Sequence, residues 1–509
     1  MARDTMQFHF INGAAIDADA RKQIRSSVML GRNAGKKRPR REHTNTKPRV
    51  LLPDVADAAD KTLAPNISDS LSAGTGVASE SSGVAAPSND NLRTTEVARR
   101  ERTPLYRRVC DDVAIMISPR VVGYDMRKRI AQFFQLGNMI VYPAELCIPF
   151  AEAHVLWFEY FQTDDAFFHC LLALAQSHAD YLAGSNEDSP ITLRHLANSY
   201  RCINENLGRQ DTPSNSTVAS VMSIAMHHNI LRTPGGAKIH MDALGRMVEL
   251  RGGVEAFSFH WMLLQKICRT DLEYSFQSGS QPRFYRDAFP HDFIRATPTW
   301  SVCSYEAFVT TTAAQIYNIE LQCIYRDILC SSRYLNDTQE SPMIAPLDFQ
   351  EILISVCYRL LRTHPLMEER PANVAEDACH LMLLALMTTM IIRPAHSRLR
   401  VSYDLITNLL RHAVCALLES EEDDEFILWV LFAGGVSVFH PQKETWLLSR
   451  LGSCTVALGV DSWAAAREIL IRFPWVRHFH DKLGEELRNI LDTAGLANQL
   501  QPLQANTDS

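Results

Sequence analysis

The acidic pairs and histidines of this chain, the residue types that most often carry out chemistry, do not form a recognised catalytic pattern. Asp164 and Asp165 stand directly before an apolar helical pattern. A carboxylate there accepts hydrogen bonds from the first N–H groups of a helix, so we predict capping rather than paired catalytic carboxylates. The phosphate-binding loop G-x-x-x-x-G-K-[ST], G-x-G-x-x-G and the G-x-S-x-G elbow do not occur. We therefore predict no catalytic residue, no cofactor and no enzyme.

The histidines and cysteines are not spaced to bind a shared metal ion. His227 and His228 are adjacent and would point about 100° apart on a helix. His169 and His178 are nine residues apart, and neither H-E-x-x-H nor C-x-x-C occurs. Most of the twelve cysteines sit inside apolar runs, which is typical of buried free thiols in a reducing compartment. We predict no metal site.

A dense cationic cluster is the one segment that indicates a binding partner. Residues 1–50 contain twelve Lys and Arg against four Asp and Glu, although the whole chain has a net charge of −7. Five of six consecutive residues are cations: Lys36, Lys37, Arg38, Arg40 and Arg41. Import receptors and phosphate backbones both attract such extended clusters, so we predict nuclear localisation and non-specific nucleic-acid contact. The alternative is a solvated disordered tail.

Composition divides the chain into four segments. Residues 1–50 form the basic arm. Residues 51–105 are rich in Ala, Ser, Asp and Gly and have too little apolar bulk to offset chain entropy, so we predict a disordered linker. Residues 106–491 have helical periodicity, and we predict a flexible tail at residues 492–509.

The helical segment predicts an all-α fold, a large body of packed antiparallel helices. Residues 166–184 are amphipathic and end at a glycine. In residues 238–251 we predict one buried face, a break at Pro234-Gly235-Gly236 before the helix, and a cap at Gly252-Gly253 after it. The predicted face comprises Ile239, Ala243, Met247 and Leu250.

Two other helices are predicted to lie in the core. Residues 380–392 and 426–439 are apolar almost all round, and each is shorter than the ~20 residues that span a membrane. The acidic run at residues 419–425 favours a helix N-terminus there, although an activation segment is the alternative. With no signal-like apolar run at the start, we expect a soluble intracellular protein without membrane contact.

These motifs together resemble the fungal-specific transcription factor domain, the helical regulatory region of zinc binuclear cluster activators. The resemblance covers about residues 106–490. Its collinear segments are residues 167–178 (FFHCLLALAQSH), 239–253 (IHMDALGRMVELRGG), 282–284 (PRF), 429–435 (WVLFAGG) and 463–475. The arm also resembles a pattern of such fungal proteins, with Ala20-Arg21-Lys22 before a basic run.

The departure from that family concerns DNA binding. Its regulators carry six cysteines with two C-x-x-C pairs, whereas no cysteine here precedes Cys110. The resemblance implies a nuclear regulator of metabolic or secondary-metabolite genes whose helical region contacts other regulators or co-regulators, or small effectors. Homo- or heterodimers are expected, with DNA contact indirect or non-specific. The alternatives are a helical scaffold away from chromatin, and a small-molecule-binding protein or enzyme with a pocket between helices.

Overall fold

A computed structural model describes a helical body within residues 103–509. The described residues are 122–148, 150, 155–185, 187–291, 316–336, 344–391, 402–420 and 422–500, with side chains up to residue 494. The predicted basic arm, including the cluster at residues 36–41, and the predicted linker at residues 51–105 lie outside these ranges.

Fifteen α-helices make up the described fold, which confirms the all-α prediction. They are α1 Tyr124–Val141, α2 Val155–Thr163, α3 Asp165–Leu182, α4 Pro190–Arg209, α5 Asn215–Ile230, α6 Pro234–Leu250, α7 Trp261–Ser278, α8 Ile319–Asn336, α9 Pro346–Thr363, α10 Val374–Ile391, α11 Asp404–Leu417, α12 Asp424–Ser437, α13 Thr445–Ala457, α14 Trp463–Leu470 and α15 Arg477–Leu500. A 3-10 helix spans Val254–His260. The sole strand-like pairing in the described ranges is an isolated bridge from Cys147 to Ile344.

Two helices form the centre of the core, as their apolar sequences predict. Most residues of α10 are buried, and all residues of α12 from Phe426 to Ser437 are buried. Helix α10 packs on α9, α11 and α12, while α12 also packs on α13 and α15. A helix that is apolar all round needs such neighbours on every side.

The helix ends confirm the predicted caps. The carboxylate of Asp164 accepts a hydrogen bond of 2.8 Å from the backbone N–H of Phe167. Asp423 likewise accepts one from the N–H of Glu425, so part of the acidic run begins α12. Gly252 and Gly253 follow α6 with φ of 93° and 98°, a left-handed conformation that glycine adopts without a Cβ clash.

The predicted face of α6 was wrong at Ile239 and Leu250, whereas Met247 is buried and Ala243 is partly buried against the core, as predicted. Ile239 and Leu250 are 54% and 47% exposed, while the buried face is Ala237, Met241, Leu244, Gly245, Met247 and Val248. Two apolar stripes share this helix, and periodicity alone does not decide which one meets the core. Pro234 is also the first residue of α6 rather than a break before it, because proline fits the first turn of a helix.

Two further helices bear on sequence predictions, the C-terminal helix α15 and the apolar helix α10. The sequence predicts a flexible tail from residue 492. Helix α15 instead continues to Leu500. Helix α10 is long and apolar enough to cross a membrane, but 83% of its apolar window is buried inside the protein, as in a core helix. Eight of the ten described cysteines are buried.

Candidate ligand cavity

A cavity of about 530 Å³ lies among α1, α2, α3, α5 and α7. Along the chain α1 packs on α3, α3 on α5, and α5 on α7. The lining residues of α3 recur at Phe167, Leu171, Leu174, His178 and Tyr181, which is the spacing of one helix face. The volume falls within the range of 300–1,000 Å³ that is typical of small-molecule sites.

Apolar and aromatic side chains form most of the cavity wall. Phe133 and Phe134 come from α1, Trp157 from α2, and Met222 and Met226 from α5. The ring of Trp157 stacks on that of Phe167 with 6.1 Å between centroids. Such a wall favours an apolar, ring-containing molecule, because aromatic rings gain from stacking and edge contacts as well as from burial.

Helix α7 places a row of polar side chains on the same cavity. Lys266, Arg269, Thr270 and Glu273 all line it, and their spacing of three, four and seven residues puts them on one helix face. Arg269 and Glu273 are buried, whereas Lys266 is half-buried. Three ionisable groups therefore face one largely apolar space.

Arg269 is held rigidly by neutral acceptors. Its guanidinium donates to Oε1 of Gln350 at 2.6 Å and to the backbone carbonyl of Ile391. The amide of Gln350 in turn donates to the carbonyl of Val141 at 2.6 Å, which connects Arg269 to the end of α1. No carboxylate among the described residues lies in ion-pair contact with Arg269, so its charge is not neutralised by a direct partner.

Lys266 and Glu273 have no hydrogen-bond or ion-pair partner among the described side chains. Burial lowers the pKa of Lys266, nearby Arg269 lowers it as well and Glu273 opposes them, and together they place it at about 8. Burial raises the pKa of the Glu273 carboxyl, against the opposite influence of Arg269 and Lys266. Both shifts have desolvation as their main cause, since neither group has a direct charged partner.

The histidines of the cavity are of two kinds. His227 lies 3.2 Å from the carboxylate of Asp188. Burial lowers the pKa of His178. The Nε2 atom of its ring is buried and has no hydrogen-bond partner in the described part of the chain. Its ring makes an edge contact of 5.8 Å with Phe133. Burial therefore disfavours the charged form of the His178 imidazole at the cavity wall.

Arg232 marks the outer rim of the cavity. Its side chain is 46% exposed and lies 3.7 Å from Asp404, and it donates to the carbonyl of Ser402 at 2.8 Å. Its φ of 53° makes it the one non-glycine residue with positive φ in the described backbone. The αL conformation costs a non-glycine residue free energy. Contacts with the start of α11 hold Arg232 in this conformation.

Sequence reasoning did not find this site. The predicted contact residues at 36–41 lie outside the described ranges, so their prediction stays a prediction. The four polar residues of α7 are visible in the sequence as a charged stripe, but a charged stripe is normally a solvated helix face. Among the described residues no group of three or more His, Cys, Asp or Glu side chains is arranged to hold a metal ion.

Comparison with known proteins gives one match. A family model described as the fungal specific transcription factor domain matches residues 141–472, which is more than half of the chain. No curated protein and no solved structure gave a significant match. The matched range begins at the last residue of α1 and includes every cavity residue of α2, α3, α5 and α7.

Proposed function

We propose that this chain, which belongs to the fungal specific transcription factor domain family, controls metabolic or secondary-metabolite genes through its helical body. The family match over residues 141–472 is the observation that carries the proposal, and it supports a transcription-regulator role. That role is one of binding and regulation, and we propose no catalytic activity.

We propose further that DNA contact is indirect or non-specific. Sequence-specific reading needs a rigid element that places side chains on base edges, and zinc-cluster relatives use six cysteines for this purpose. The first cysteine of this chain is Cys110, and no C-x-x-C pair occurs in it. Partner regulators or co-regulators would then supply the specificity.

Nuclear entry is assigned in this proposal to the basic arm. Five cations within residues 36–41 suit an import receptor, which binds extended basic segments. We expect a tagged protein to lose nuclear enrichment when all five are replaced by alanine: Lys36, Lys37, Arg38, Arg40 and Arg41. A control variant with Lys238→Ala and Arg246→Ala, two exposed cations of α6, should stay nuclear. Unchanged enrichment of the cluster variant would contradict this assignment.

The test of the proposal is a chromatin occupancy map of the tagged full-length protein in its native cells. We expect discrete peaks at promoters, together with changed transcript levels of the adjacent genes when the protein is removed. A flat map from cells in which the protein is present and folded would contradict the proposal and favour a scaffold away from chromatin.

A further inference from the structure

We propose that the cavity among α1, α2, α3, α5 and α7 binds a small monocarboxylic acid with an apolar, ring-containing body. The carboxylate would lie against Lys266 and Arg269, and the rings would lie against the aromatic wall. This inference goes beyond the proposed function and does not depend on it, because it concerns binding by the purified protein alone.

The charge of the polar row favours an anion. Lys266 and Arg269 provide two cations against the single carboxyl group of Glu273. The other charged side chain of the lining, Arg232, already has Asp404 as a partner at the rim. One negative charge on the ligand would balance the row.

The order of charges along α7 favours a single carboxylate rather than two. Lys266 and Arg269 are separated by three residues, an axial rise of about 4.5 Å, so one carboxylate can contact both. Glu273 follows one turn beyond Arg269 and would repel a second anionic group. Because Arg269 has five N–H donors and bonds only two acceptors in the described structure, donors remain for the ligand.

Buried charges elsewhere in the core have partners, which distinguishes the cavity. Arg359 donates to Asp327 at 2.7 Å, and the carboxylate of the buried Glu376 accepts hydrogen bonds from the backbone N–H groups of Tyr317 and Asn318. An unpaired buried charge is costly, so it is rarely kept without a partner. Arg269 is 4% exposed, lines the cavity and has no carboxylate partner in the described structure. A carboxylate ligand would supply the missing anionic partner of Arg269 and Lys266.

The experiment uses three fluorescent probes that share one pyrene body: 1-pyrenebutyrate, the neutral 1-pyrenebutyramide and the cationic 1-pyrenebutylamine. Each is titrated into the purified full-length chain, and binding is followed by probe fluorescence. We expect the carboxylate to bind at least about tenfold more tightly than the amide, as hydrogen bonds to charged groups imply. The amine should bind more weakly than the amide. Equal affinities for the three probes, or binding of none, would overturn the proposal.

Variants assign the effect to the cavity. Lys266→Met removes the charge and leaves an unbranched side chain that is one atom shorter, so the carboxylate should lose most of its advantage over the amide. Lys238→Met on α6, an exposed lysine paired with Asp242, is the matched control and should bind all probes as the wild type does. Met226→Trp should weaken all three probes by filling the cavity. A carboxylate preference that survives in Lys266→Met would overturn the proposal, provided that this variant retains the helical circular dichroism of the wild type.

Discussion

Two groups of helices differ in how completely their side chains are packed. In the packed pair, α10 and α12, side chains contact neighbours on nearly all sides, and Trp429 is fully buried. In the cavity group, α1, α2, α3, α5 and α7, aromatic side chains surround about 530 Å³ of space and three ionisable groups face it. Since voids larger than a water molecule are few in a protein interior, a space of this size argues for binding rather than for stability. The packed pair would then provide the stability that allows the cavity group to stay hollow.

The largest expected difference between the two groups comes from matched tryptophan truncations. Trp429 stacks on Phe473 at 5.4 Å and its indole N–H donates to the carbonyl of Pro474 at 3.0 Å. We expect Trp429→Ala to lower the free energy of unfolding by about 3–5 kcal/mol. Trp157→Ala should cost about half as much, because one side of Trp157 already faces the cavity and loses fewer contacts. Urea denaturation measures both, and equal losses would remove the distinction between the two groups.

Matched glycine substitutions give the next largest difference. A Cβ on Gly434 of α12 would come 2.6 Å from the ring of Phe439, so Gly434→Ala should destabilise the fold by about 1–3 kcal/mol. A Cβ on Gly137 of α1 would have no atom within 4 Å. Alanine has a lower backbone entropy than glycine in the unfolded chain. Gly137→Ala should therefore stabilise the helix by about 0.5–1 kcal/mol. Thermal denaturation would contradict this expectation if both variants shifted in the same direction.

A smaller effect concerns the pH dependence of stability at Lys266. Below pH 8 Lys266 is protonated in both the native and the unfolded chain. The native chain therefore carries the full free-energy cost of burying the ammonium group. Between about pH 8 and the ordinary value of 10.5 the unfolded chain binds more protons than the native one, so stability rises with pH. Because the side chain is only half-buried and solvent weakens the effect, we expect the wild type to gain about 1 kcal/mol relative to Lys266→Met over this interval. Parallel pH profiles of the two proteins in chemical denaturation would contradict this expectation.

The packed pair was predictable from the sequence, and the reason is physical. Residues 380–392 and 426–439 are apolar all round, so burial was the one outcome consistent with a soluble helix, and α10 and α12 confirm it. Capping at Asp164 was also predictable, because it depends on one residue and its local backbone. The orientation of α6 was not predictable, since two apolar stripes compete on that helix and tertiary packing decides between them.

The cavity was not predictable from the sequence, because it depends on what several helices leave empty. A row such as Lys266, Arg269 and Glu273 has the same sequence pattern whether it faces water or an enclosed space. Likewise, Gln350 lies far along the chain from Arg269, and only the fold brings its amide to the guanidinium. Periodicity describes one helix at a time, whereas the cavity is a property of α1, α2, α3, α5 and α7 together.

Hydrogen exchange of the purified full-length chain, with and without 1-pyrenebutyrate, tests most directly whether one group of helices is built for stability and the other for binding. Without the probe, the amides of α10 and α12 should exchange most slowly, since core helices open only with the largest free energies. With the probe, the helices of the cavity group should gain protection while α10 and α12 stay unchanged. Unchanged exchange in the cavity group, or equal protection of both groups, would contradict this division of the molecule.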